Sequence, residues 1–83
     1  MNESIITVSD TQLYDIIASA IEQDTAPDLM VDKTREAAFV AALLGVTPTQ
    51  YLRIAARVMR DMGLTRQAAA VKAEYMAMVN ADE

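Results

Sequence analysis

At 83 residues the chain is one domain, near the lower limit of what a single hydrophobic core stabilises without help. It contains no Cys, His or Trp, which excludes disulfides and the usual zinc, copper and haem ligands; no metal or cofactor is expected. Its formal net charge of −5 is unevenly placed: Glu3, Asp10, Asp15, Glu22, Asp24, Asp28 and Asp32 precede the first base, and all 7 Lys and Arg lie from Lys33 to Lys72. Such segregation bears on association and steering rather than on fold.

The opening Met-Asn-Glu-Ser-Ile-Ile-Thr-Val is neither a basic n-region nor a long apolar h-region, so no signal peptide is read there and a cytoplasmic location is expected. Residues 1–8 form an N-terminal segment in which Ile5, Ile6 and Val8 are expected to pack rather than pair as a strand.

Ser9-Asp10-Thr11-Gln12 has capping-box spacing and starts the first helix, expected from Asp10 to Gln23. Leu13, Ile16, Ile17, Ala20 and Ile21 recur at the spacing of one buried face. Asp15 and Glu22 fall opposite, as an acidic face.

Residues 24–31, with Pro27 among them, read as a linker, because proline disfavours helical geometry in its predecessor. The second helix is expected from Asp32 to Leu44, closed by Gly45. Its apolar run, Ala37 to Val46, is about half the roughly 20 residues needed to span a bilayer, so no membrane is expected. Being apolar all round, this helix is expected at the centre of the bundle, with Phe39, Leu43 and Leu44 in the core and Phe39→Ala severely destabilising.

Thr47-Pro48-Thr49-Gln50 is a second start signal, with a Thr cap, Pro at the first helical position and Gln at the box position. The third helix ends at Gly63. The fourth opens at Thr65, runs through Val79 and frays over residues 80–83. Gly45-Val46-Thr47 and Gly63-Leu64-Thr65 are alike, but too short to define a repeat. The fold class is all-α, a four-helix domain with a central helix pair.

On the third helix, Arg53, Arg57 and Arg60 fall within about a 60° arc at 100° per residue, opposite Tyr51, Ala55, Val58 and Met62. One basic stripe results. It is suited to a partner's carboxylates or to phosphates, unless the acidic first helix of the same chain neutralises it. The base-free acidic half could instead imitate a phosphate line, but its exposed acids are few.

Residues 37–54, with Ala41 four residues before Gly45, apolar Val46 directly after it, and Tyr51 and Ile54 on the following helix, resemble the helix-turn-helix family. That resemblance implies DNA binding through the second helix of the pair, with Thr47, Thr49, Gln50 and Arg53 toward base edges. The family displays polar side chains where Leu52 and Ala56 stand here, and an acidic chain opposes a polyanion.

Nothing supports an enzyme: there is no His base, no Gly-rich phosphate loop, and no Asp-Ser-Leu attachment signature of an acyl carrier protein. The favoured reading is a non-enzymatic regulator, inhibitor or adaptor that binds a protein, in the style of a bacterial or phage accessory protein. The alternatives are a helix-turn-helix repressor and a structural assembly subunit. The apolar second helix and Met-containing fourth helix offer more apolar surface than one small bundle hides, so a homodimer is expected.

Overall fold

A computed structural model describes residues 8–23 and 27–81, which form four α-helices: α1 (Asp10–Gln23), α2 (Pro27–Ala42), α3 (Pro48–Asp61) and α4 (Thr65–Ala81). The expected all-α four-helix class is observed. Residues 1–7, 24–26 and 82–83 lie outside the described set, and with them most of the N-terminal segment, part of the expected linker and the end of the expected tail.

Local signals set most boundaries. The backbone N–H of Ser9 donates to Gln12 Oε1 at 3.0 Å and that of Gln12 donates to Ser9 Oγ at 3.1 Å. Both halves of the capping box at α1 are therefore closed. At α3, Thr47 Oγ1 accepts from the Gln50 N–H at 3.1 Å, and Pro48 occupies the first position, where its missing N–H leaves no bond unmade.

Both interior helix ends use one device. Gly45 (φ +90°) and Gly63 (φ +83°) adopt the left-handed conformation. The N–H of Gly45 donates to the Ala42 carbonyl and that of Val46 to the Ala41 carbonyl, both at 3.2 Å. Gly63 donates to Arg60 at 3.1 Å and Leu64 to Met59 at 2.8 Å. These are two Schellman closures, the structural content of the two similar tripeptides.

Two expectations about α2 are corrected. It runs from Pro27 to Ala42 rather than from Asp32 to Leu44, with Leu43 and Leu44 in the closing turn: proline is also favoured as the first residue of a helix, so Pro27 is a start rather than a breaker. It is not the centre of the bundle either. Phe39 is 55% exposed, Val40 61%, Leu43 86% and Leu44 73%, while the side of α2 facing the core holds Met30, Thr34, Ala38 and Ala41. Spacings of four, four and three residues define one narrow stripe. Small Ala38 and Ala41 bring α2 close to its neighbours, leaving the larger apolar groups outside.

The centre is α3, against which α1, α2 and α4 all pack. It buries Leu52, Ile54, Ala55, Val58 and Met59. Tyr51 and Met62, expected on the buried arc, are half-buried, and Leu52 and Ile54 widen it. The Cα trace is 19 Å deep in its thinnest direction, about two helix diameters. Two layers cannot enclose a peripheral helix, so apolarity all round did not translate into cover all round. On α1 the same thinness leaves Ile16 and Ala20 exposed, against expectation, while Leu13, Ile17 and Ile21 are buried.

Val8 packs against the core as expected of it. On α4, Ala68 and Val71 are buried, and Tyr75, Met78 and Val79 are half-buried. A bidentate contact, Arg35 Nε and Nη2 to Glu74 Oε1 and Oε2 at 3.3 and 3.1 Å, fastens α2 to α4. Arg35 also reaches Asp32 at 3.1 Å. The Glu74 carboxylate, ahead of Asp32, holds the Arg35 guanidinium above its ordinary range.

Candidate functional site

The buried sector of α3 is broad, and the residues left out of it carry the basic row. Arg53, Arg57 and Arg60 are all exposed and recur at i, i+4 and i+7, so they stand one above another on the outward side of the central helix. All three border a groove toward α4, and Arg57 also borders a hollow toward α1.

Toward α1 the row meets acids. Arg53 Nη2 lies 3.1 Å from Asp10 Oδ2, and Gln50 Nε2 donates to Asp10 Oδ1 at 3.1 Å and, at 3.5 Å, to the Val8 carbonyl. The hydrogen bonds from Arg53 and then Gln50 hold the Asp10 carboxyl below its usual range. Arg60 Nε is 3.7 Å from Asp61 Oδ1. Asp61 Oδ2 accepts from the Tyr14 hydroxyl at 2.7 Å, which raises the Tyr14 phenol above its ordinary value, with burial adding to the effect. Arg57 faces Asp10, Asp15 and Asp61 across a shallow hollow. The α1 face thus balances part of the row.

Toward α4 the surroundings are of the opposite kind. A groove of about 410 Å³ is lined by the three arginines together with Lys72 from α4, over a floor that includes Ala56, Ala68 and Ala69, with Tyr75 also on its wall. No carboxylate among the described residues lines it. Among the described residues, Arg57 and Lys72 have no ion-pair partner.

The residues singled out for base contact lie at the start of α3. The Thr47 hydroxyl caps the helix and is 3.3 Å from that of Thr49. The Gln50 side chain does not close a second capping box; it reaches Asp10 instead, as does Arg53. Leu52 is buried and Ala56 half-buried. Of the acidic face, Asp15 is exposed beside Arg57, and Glu22 is exposed farther along α1.

Sequence reasoning found the arginine row but missed Lys72, Tyr75 and the alanine floor, because they join it only through the pairing of α3 with α4. A second surface was also missed, the stripe at the end of α2, with Phe39 and Val40 on the helix and Leu43 and Leu44 in the turn that closes it (the α2 stripe). Its signal in the sequence is an apolar run longer than one buried face requires, a pattern that local periodicity alone does not distinguish from core.

No described helix is long and apolar enough to cross a membrane. The fold and these two surfaces define an all-α four-helix domain with a basic row on its central helix. Comparison with protein-family models, curated proteins and solved structures found no match to the chain.

Proposed function

We propose that this chain is a small non-enzymatic regulator, inhibitor or adaptor that works by binding proteins, and that it does so as a homodimer. The observation that carries this reading is the α2 stripe: Phe39 and Val40 in the last turn of the helix and Leu43 and Leu44 in the turn that follows are each more than half exposed. Large apolar groups so grouped suit a protein interface and nothing in phosphate recognition. A second copy is the occupant that the charges favour. Two chains of net charge −5 repel, but no Asp, Glu, Lys or Arg lies between Ala37 and Leu52. The four residues of the stripe therefore bring no charge of their own to such a contact, and Glu36 lies one turn before it.

The rival reading, a helix-turn-helix repressor, needs Thr47, Thr49, Gln50 and Arg53 to reach base edges. The Thr47 hydroxyl is already used as a cap, and Asp10 holds both Gln50 and Arg53. These engagements support placing protein binding first. The exposed arginines are what favours the rival.

Sedimentation from micromolar to near-millimolar concentration tests the proposal, with Leu43→Ser and Leu44→Ser together as the comparison. A parent that dimerises and a variant that does not support it. A parent that stays monomeric throughout removes the homodimer. Tight binding of non-specific duplex DNA, weakening steeply between 50 and 200 mM salt as phosphate-driven binding must, favours the repressor.

A further inference from the structure

The two grooves beside the arginine row differ in a way that points to an occupant. Asp10, Asp15 and Asp61 stand on the α1 side. On the α4 side, Arg53, Arg57 and Arg60 line a groove with Lys72, and no acid among the described residues lines it. Arg53 and Arg60 are shared with Asp10 and Asp61 on the other side, but Arg57 and Lys72 have no ion-pair partner among the described residues. On a protein of net charge −5, a hollow lined by these four cations and by no described carboxylate concentrates anionic groups there against the field of the whole molecule.

We infer that the α3–α4 groove receives an acidic amphipathic helix of a partner protein. The inference rests on the reading of the chain as a protein-binding domain and adds the surface and the chemistry of the partner. Three features select a peptide over a phosphate chain. The floor is apolar and small, Ala56, Ala68 and Ala69, which lets a helix approach closely and gives an apolar stripe something to cover; a phosphodiester backbone brings no apolar side chains. Tyr75 supplies an aromatic wall with a polar tip, a residue type enriched at protein interfaces. The row itself has helical spacing: from Arg53 to Arg60 the rise is about 10 Å, two turns of helix. Carboxylates at i, i+4 and i+7 of a partner helix repeat that spacing, and guanidinium groups bind carboxylates with two parallel hydrogen bonds. Docking then places the partner's apolar stripe on the alanines, its acids on the arginine row, and further acids within reach of Lys72 from the opposite wall.

The test uses a designed helical peptide of about 16 residues with Glu at i, i+4 and i+7 beside a Leu/Ala stripe, the same peptide with Gln for Glu, and a duplex DNA of about 20 base pairs. Binding to the intact chain is followed by fluorescence anisotropy and by amide shifts. The Glu peptide is expected to bind about tenfold tighter than the Gln peptide, and to shift the amides of Ala56, Ala68 and Ala69. Arg57→Gln and Lys72→Gln are each expected to weaken it several-fold, with circular dichroism unchanged, since neither side chain is paired within the fold. Equal affinity for the two peptides, no binding of either at millimolar concentration, or shifts confined to the α2 stripe overturns the groove proposal. Those results leave the protein-binding reading standing, because self-association through α2 is measured separately. Duplex DNA bound more tightly than the Glu peptide, with a steep salt dependence, overturns both.

Discussion

The Arg53 guanidinium lies 3.1 Å from the Asp10 carboxylate, and through this contact the central helix grips the first turn of α1. Asp10 lies where a negative charge also complements the helix dipole. It therefore serves the start of α1 and the packing of α1 on α3 together.

Replacing Asp10 with Asn keeps one acceptor oxygen, for Gln50 or Arg53 but not both, and exchanges the other oxygen and the charge for an NH2 donor. The Asp10 pKa is lowered in the fold, so its contribution is complete above the unfolded value of about 3.9 and is lost as pH falls through the folded one. Asp10→Asn is expected to melt below the parent at pH 7, and the two curves are expected to converge in stronger acid. Melting temperatures from pH 7 to pH 2.5 check this. A gap that does not change with pH would mean that the carboxylate charge plays no part.

The core prediction follows from which helix is central. Leu52 is 1% exposed on α3, and Leu52→Ala is expected to cost about 2 to 5 kcal/mol, much of the stability of so small a domain. Phe39 is 55% exposed on α2, and Phe39→Ala is expected to change monomer stability by less than about 1 kcal/mol while weakening self-association. Denaturant melts combined with sedimentation separate the two effects. If Phe39→Ala proved as costly as Leu52→Ala under monomeric conditions, the α2 stripe would belong to the core after all.

What the sequence reveals and what it hides divide along contact range. The Ser9–Gln12 box, the Thr47 cap, the two Schellman glycines and the arginine row are all set by residues within about two helical turns of one another, so their spacing is sufficient to find them. Gln50 shows the limit. Its spacing to Thr47 fits a capping box, yet Asp10, 40 residues away in sequence, takes its amide. The Arg35–Glu74 contact spans 39 residues and leaves no local trace. The α2 stripe was misplaced for a related reason: hydrophobicity records what a helix would bury, whereas the number of neighbours available to cover it is a property of the assembled bundle. Pro27 adds a local ambiguity, since the same residue that ends one helix opens another.

The glycine closures make a prediction that contacts do not complicate. A Cβ added at Gly45 or Gly63 would meet nothing within 4 Å, so only the positive φ opposes a side chain. Gly63→Ala is expected to cost about 1 to 2 kcal/mol from backbone strain alone. Gly63→Asn, with a residue that tolerates the left-handed region, is expected to cost less. Equal melting of the Ala and Asn variants would place the cost in something other than conformation.

The arginine row is asymmetric in its attachments, and stability measurements can read that asymmetry without a ligand. Arg53 is paired with Asp10, whereas Arg57 has no ion-pair partner among the described residues and stands between two other arginines with Lys72 across the groove. Gln preserves helix propensity and much of the bulk at either position. Arg53→Gln is expected to lower the melting temperature at low salt through loss of the Asp10 contact. Arg57→Gln is expected to leave it nearly unchanged, because like charges at helical spacing are relieved while the attraction of Arg57 to the acids across the α1 hollow, which form no ion pair with it, is lost. Added salt should shrink both effects, since attraction and repulsion between exposed charges are both weakened by screening. Thermal melts of both variants at 10 and 300 mM salt supply the comparison. A clear loss of stability in Arg57→Gln at low salt would show that the acids on the α1 side hold Arg57 as firmly as Asp10 holds Arg53, and the row would then be a structural seam rather than a surface kept open for a partner.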